Sequence, residues 1–578
     1  MKQSRVLTSD AVASKLPRTI LDAIKLTKAL GERWLWIDSL CIVQDDEESL
    51  QHELKSMHQI YATSFLTIVA VDGEDAEYGL RGLRGISEPR EINHIVLPLS
   101  GGEKIAWIED PHKDDRDKSE LSYHERMWTS QEFDFSKRRL IFKDAQVKWE
   151  CNCSVWSEDH IYQPEKERPF DVVFGRYVGR GRHLKVPSLS RLSNLICWSF
   201  NKRTLRYEED VDNAFAGYNT YLSGIFPYGL VYGHPQIFFE QSLCWSSGGG
   251  AQRRRVSERY TGDPIRNGLP SWSWMGWKGT INFPVDLESE EGASYEMGFT
   301  ESITDWYVME YPDSCEKRRI KSIWSQCRKA PPESMAESWR GEEFVPPAMA
   351  ERGVSSRTPD PLSTPKEFPS HIYTCLSDDT PWPITRWYPI PLGQGNSEES
   401  SLGLHSGYQY LWCQTFRALF TASCDMLHGD LACISTHLLK NKDGTTVGAL
   451  RVPNEDDSKS IQQNTLVELI AVAKGWSAIL NLYSTEEPES PAPVDMAQLS
   501  LEEEQEVKEK HADYWSKAFE ASPWMEEWEK GMKDKQDCYH VLWIEWDNGV
   551  AYRKAYGFVL EEEWDSVAES DRVDIILG

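Results

Sequence analysis

The chain has no paired CxxC motifs, and its 12 cysteines are scattered. The one close pair, Cys151-Asn-Cys153, has no second pair to match it, which argues against zinc. In a strand both of its thiols would point to one face, and packing into a core is the simpler role. Cys41, Cys197, Cys244 and Cys538 lie in apolar surroundings and read as core fillers. No secretory leader opens the sequence, and no apolar run is long enough to span a bilayer. Repeats of the solenoid or propeller kind are absent. Positive charge is also short, with 63 Lys and Arg against 92 Asp and Glu, a net charge of -29. A chain this acidic repels nucleic acid and anionic membrane surfaces, so neither is an expected partner. These absences point to a reduced, soluble, cytoplasmic protein. Its 578 residues are too many for one ordinary core, and two or three domains are expected.

Tryptophan is plentiful: 24 residues, many in clusters such as Trp34 and Trp36, Trp272, Trp274 and Trp277, and Trp543 and Trp546. Each offers a large apolar area and one N–H that needs a partner. Clusters this dispersed read as anchors of several cores.

The first helix is expected from Pro17 to Leu30, with Pro17 in the first turn and Gly31 as the left-handed cap. A short apolar run, Trp34–Ile37, follows and ends abruptly in Asp38, Ser39 and Cys41. This is the pattern of a buried parallel strand that delivers polar groups to a sheet edge, where α/β folds bind ligands. Taken alone, the stretch is better explained by Asp38 capping a turn and Cys41 filling a core gap. Asp45–Glu48 then supplies the acidic first turn of a second helix, whose stripe is Leu50, Leu54, Met57 and Tyr61. Phe65–Val71 reads as a second buried strand. Helix and strand in alternation predict an α/β unit with a parallel sheet. Asp72–Ile92 is a Gly- and Arg-containing loop, and Ile95–Leu99 with Lys104–Ile108 reads as a hairpin around Gly101-Gly102.

The stretch Arg126-Met-Trp128-Thr-Ser-Gln131-Glu132-Phe-Asp-Phe135 predicts a short helix before a strand at Arg139–Phe142. Trp128 and Phe135 share a face, and Glu132 sits between them. Beside two aromatic rings its carboxyl would be desolvated, and a desolvated carboxyl gains a raised pKa suited to acid/base or nucleophilic work. From the residues alone, a structural ion pair with Arg126 is the better account.

Further along, Gly175–Arg182 is a Gly/Arg stretch without the strand–loop–helix setting of a phosphate loop. Glu208–Tyr221 reads as a helix, and Pro235 opens another. Leu269–Trp277 reads as an extended segment whose indoles dock into the core. Residues 328–405 are rich in Pro, Ser and Glu and read as a linker or surface insertion. Tyr408–Phe420, Gly448–Val452 and Thr465–Ala473 read as strands, and Ser500–Glu503 as a capping box. Asp547-Asn548-Gly549, between His540–Trp546 and Val550–Tyr556, is a strong hairpin signal.

Three of these stretches occur together in a known order. Trp36-Ile-Asp38-Ser39-Leu-Cys41-Ile-Val-Gln44, then Met57-His-Gln-Ile-Tyr61, then Arg126-Met-Trp128-Thr-Ser-Gln131-Glu132 resemble the heterokaryon-incompatibility (HET) domain of filamentous fungi. The segments Phe215–Gly217, Leu269–Trp277 and Trp543–Arg553 resemble the region that follows it in such proteins. The resemblance implies an α/β, TIR-like parallel-sheet domain at 1–155, a helical and Trp-rich region at 156–327, the linker at 328–405 and a β-rich region at 406–578. It implies a role in non-self recognition that leads to growth arrest or cell death, in association with other incompatibility proteins or with itself. Some TIR domains hydrolyse NAD through a glutamate. By that likeness Glu132 would be the catalytic residue and NAD a substrate. Asp38, Ser39, Cys41, Gln44, Arg126, Trp128 and Gln131 would line the cleft, and no metal or resident cofactor is implied. The competing implication is a non-catalytic interaction module, or an inactive, truncated member of the family. The family's opening strand, Leu-Ser-Tyr-x-Trp-Gly, has no counterpart before Pro17, so the sheet is expected to lack one strand. A gene model short of its first exon and a sheet built without that strand both remain open.

Overall fold

The computed structural model describes residues 15–43, 45–90, 93–98, 104–109, 123–151, 155–158, 187–247, 250–255, 269–284, 297–329, 339–343, 371–375, 384–386, 390, 409–426, 435–477, 536–569 and 571–578. Gln44, Gly175–Arg182 and Ser500–Glu503 lie outside them.

Helix α1 spans Arg18–Ala29, with Pro17 at its N-cap and Gly31 at a φ of 79°. Its Asp22 is buried and accepts a hydrogen bond from Leu80 N at 3.2 Å, which ties the long loop to the helix. Helix α2 spans Glu47–Thr63, and its N-cap Asp46 accepts from Ser49 N at 3.3 Å. Strand β1 is Thr67–Ala70, and Asn93–Pro98 (β2) pairs antiparallel with Lys104–Glu109 (β3) as the expected hairpin. Helix α3, Trp128–Phe135, leads into Arg138–Lys143 (β4), Gln146–Cys151 (β5) and Val155–Ser157 (β6).

Two expectations need correction here. The first sheet is mixed, not parallel. Its order is β1-β4-β5-β6, and only β1 and β4 run parallel, with Ile68 opposite Leu140. The antiparallel return is made by Asp144 and Ala145, both at positive φ (55° and 51°). Non-glycine residues at such angles are strained, and the Asp72 carboxylate offsets that by accepting from Asp144 N at 2.8 Å and Ala145 N at 3.0 Å. No Asn-Gly or Asp-Gly announces this turn. Secondly, Trp34–Ile37 belongs to no sheet among the described residues, and Trp34 is 86% exposed. A strand exists only where a neighbour takes its backbone hydrogen bonds, and Trp34–Ile37 has none of that kind among the described residues. Asp38–Cys41 is a single helical turn closed on Ile37 O by Leu40 N and Cys41 N. Cys41 is exposed and fills no core gap.

Helix α4, Val211–Ser223, follows a 3-10 turn at Glu208–Asp210 and is buried along one side at Ala214, Phe215 and Tyr218. It anchors the main core, into which Trp245, Trp272, Trp274 and Trp277 are packed. As the sequence pattern implied, the Leu269–Trp277 indoles dock inward, and each finds a carbonyl. Trp272 Nε1 donates to Gln409 O at 3.1 Å, Trp274 Nε1 to Gly233 O at 3.3 Å and Trp277 Nε1 to Ser271 O at 2.9 Å.

The C-terminal region is a six-stranded antiparallel barrel. Its strands are Arg417–Met426 (β7), Ser435–Lys440 (β8), Thr446–Val452 (β9), Thr465–Ser477 (β10), Gln536–Asp547 (β11) and Val550–Leu560 (β12). The ring closes in the order β10-β7-β8-β9-β12-β11 and back to β10. Closure removes the open edges that a free sheet would carry. Successive residues sort into two cores by the period of two. Leu469, Val541 and Ala555 join one, and Ile470, Leu542 and Tyr556 join the other. The β11–β12 turn is Asn548-Gly549, both at positive φ, as the sequence predicts. Buried His540 has Nε2 2.9 Å from Gly298 O and Nδ1 2.9 Å from Tyr556 Oη, which a neutral ring satisfies fully. Burial pushes its pKa down to about 4.

Helices α2, α3 and α4 meet at Gly217. A Cβ there would stand 2.1 Å from Gln131 Oε1 and 2.6 Å from His58 Cβ. Gly217→Ala should therefore lose about 1–3 kcal/mol of stability, read as a lower denaturant midpoint. Arg139 and Glu150 form a buried ion pair at 2.8 Å, and Arg139 Nη1 also donates to Phe133 O at 2.7 Å. Arg139→Met strands the carboxylate and should cost about 3–5 kcal/mol by the same measurement.

Candidate functional site

Helix α3 is short, and its polar side chains Thr129, Ser130, Gln131 and Asp134 are buried. Each is held. Thr129 Oγ1 lies 2.6 Å from Tyr123 O and 2.7 Å from Arg126 O. Ser130 Oγ donates to Met127 O at 2.7 Å, and Gln131 Nε2 donates to Ala214 O of α4. Tyr218 Oη donates to Asp134 Oδ2 at 2.6 Å. Gln131 thus ties α3 to α4, while Trp128 packs against the main core. These bonds fix the helix in azimuth and leave Glu132 on its remaining face.

Glu132 is half-buried. Burial pushes its carboxyl up from an ordinary 4.5 to about 7, against the pull of Arg126. The Asp38 charge raises it further, and Arg203 and a hydrogen bond from Tyr61 lower it. Asp38, from the exposed turn after Ile37, therefore acts on Glu132 through its charge, and it does so without a strand beneath it among the described residues. Its Oδ1 accepts from Ser39 N at 2.6 Å, which orients the carboxylate. Tyr61 comes from the last turn of α2 and packs edge-on against Trp36 at 5.6 Å between ring centroids. Burial and the Glu132 charge push its phenol well up, and the same two causes act on Tyr123. Both hydroxyls stay protonated and can donate. Arg126 is exposed at the rim. Ser39 and Cys41 are exposed on the Asp38 turn, and Ile37 N lies 3.5 Å from Cys41 Sγ.

The structure thus gathers Asp38, Glu132 and Arg126 from the sequence-derived set and adds Tyr61, Tyr123 and Arg203. Tyr61 lies inside the second motif and was readable there as a helix-stripe residue. Tyr123 and Arg203 carry no signal of their own, because their role depends on chain segments meeting in space. Among the described residues, no three His, Cys, Asp or Glu side chains are grouped so as to hold a metal ion. No helix among them is long and apolar enough to cross a membrane.

A half-buried carboxyl under the charge of exposed Asp38, two protonated phenols and two guanidiniums are the features that the family comparison can be set against. The family model described as heterokaryon incompatibility protein (HET) matches residues 1–132. The first 132 residues are thus similar to the HET family, and Glu132 is the last residue of the match. No match was found among the curated proteins or the solved structures.

Glu132 carries a linkage signature. Between pH 4.5 and about 7 the folded chain holds a proton on this carboxyl that the unfolded chain releases. Its contribution to stability therefore declines as pH rises through that window. His540 acts in the opposite sense, because its folded pKa is depressed, and stability falls as pH drops below 6.5. Glu132→Gln removes the first effect alone. The plot of unfolding free energy against pH should then climb more steeply between pH 4.5 and 7, by about 1.4 kcal/mol per pH unit.

Proposed function

We propose that this chain acts in fungal heterokaryon incompatibility as a trigger of growth arrest or cell death, and that its HET domain hydrolyses NAD in the manner of TIR enzymes. One observation carries the reading: Glu132 is a half-buried carboxyl titrating near neutrality, under the charge of Asp38 and bonded by Tyr61. A carboxyl with a pKa near the working pH is suited to proton transfer. In the proposed reaction the bond between nicotinamide nitrogen and ribose C1′ breaks. Its electron pair passes to the nicotinamide ring and neutralises the ring's positive charge. Positive charge grows on the ribose as the bond lengthens, and the Glu132 carboxylate stabilises it. Water adds at C1′ and loses its proton to Glu132. Asp38 keeps Glu132 basic enough to take that proton, and exposed Arg126 is placed to meet a phosphate. Association with other incompatibility proteins or with further copies of the chain brings the domains together.

The second reading is a non-catalytic interaction module, and exposed Trp34 beside the Asp38 turn is the observation that favours it. NAD level in cells expressing the chain separates the two. With intact Glu132 NAD falls, and with Glu132→Ala at matched protein abundance the rate of loss drops by about 10²-fold or more. NAD unchanged in both would make the interaction module the better account.

A further inference from the structure

We infer that Arg203 is a positioning residue of the Asp38–Glu132 site, acting through the Tyr123–Thr129 segment from outside the stretch that the HET family model covers. Its Nη1 donates to Thr129 Oγ1 at 3.0 Å and to Arg126 O at 3.3 Å. A hydroxyl has one proton, so with Arg203 on its acceptor side Thr129 must donate toward the Tyr123 and Arg126 carbonyls. That bond ties the helical turn Tyr123–Glu125 to the start of α3.

The neighbouring residue reinforces the clamp. Met127 N donates to Thr204 O at 2.9 Å, and Thr204 Oγ1 donates to Glu125 O at 2.9 Å. Arg126 and Thr204 pair as an isolated parallel bridge. Helix α3 has no side-chain cap at Met127, so these contacts take the place of one. The turn that aims Glu132 is therefore set by residues 203 and 204.

Charge adds to position. The groups acting on Glu132 are Asp38 from the exposed turn, Tyr61 from α2, Arg126 from the preceding loop and Arg203. Tyr123 in the helical turn before Arg126 and Asp134 on α3 act with the same set. The two cations are not equivalent. Arg126 stands exposed, whereas Arg203 is half-buried and bonded in place. Arg203 is thus the cation whose distance from Glu132 is fixed before any ligand arrives. The inference concerns the geometry and charge of the site and holds whichever reaction the site performs, so it can fail or stand apart from NAD hydrolysis.

The test is the titration of Glu132 in the full chain, carrying 13C at the glutamate carboxyls, with Glu132→Gln used to identify the resonance. In Arg203→Gln the midpoint should rise by about 1 pH unit, a tenfold change in the protonated-to-ionised ratio. An unmoved midpoint in a folded Arg203→Gln protein overturns the inference. If that variant does not fold, Thr129→Val decides. It removes the shorter of the guanidinium's two bonds described above and leaves every charge in place. A midpoint displaced upward supports the inference, and an unmoved one overturns it.

Discussion

Helix α3 buries hydroxyl, amide and carboxyl groups at Thr129, Ser130, Gln131 and Asp134, and each side chain is hydrogen-bonded away from water, with Gln131 Oε1 alone left without a partner. An unpaired buried polar group costs on the order of 1–3 kcal/mol, so the eight-residue helix would not form on apolar burial alone. Its partners come from the preceding loop, from Ala214 and Tyr218 of α4 and from Arg203. The close approach at Gly217 is the steric counterpart of the same arrangement, since any Cβ there would displace Gln131. The family-matched stretch and the helical region are in this sense one folding unit around α3.

That arrangement also explains the electrostatics. Glu132 occupies the one face of α3 that these bonds leave free. Partial burial there disfavours its charge, Asp38 disfavours it further, and two guanidiniums and a phenol favour it. Burial outweighs the opposing charges and leaves a carboxyl poised near neutrality, which is the condition for moving a proton in either direction. Buried and alone it would stay protonated, and exposed beside Arg126 it would stay ionised.

Much of the architecture was legible in the chain. The stripe Leu50, Leu54, Met57 and Tyr61 and the acidic start at Asp45–Glu48 specify α2, because helix period and capping are local properties. Asn548-Gly549 specifies the β11–β12 hairpin for the same reason, as both residues tolerate positive φ. Trp34–Ile37 was legible only as an apolar run. Its apolarity is consistent with a strand, but among the described residues no neighbouring strand takes its hydrogen bonds. The parallel sheet was misjudged because the Asp144-Ala145 turn depends on Asp72, more than seventy residues earlier, and has no sequence signature of its own.

By itself the sequence determined the local elements, the inward docking of the Leu269–Trp277 indoles and the motif that carries Glu132. Those follow from hydrophobic period, turn chemistry and the need of an indole for both burial and a partner. The tertiary structure alone decided that the first sheet is mixed, that six strands close into a barrel and that Asp38, Tyr61, Tyr123 and Arg203 converge on one carboxyl. Strand order and the pKa of a half-buried acid are set by which distant groups come within a few ångströms of each other, and pairwise distance is not a property of any local stretch of chain.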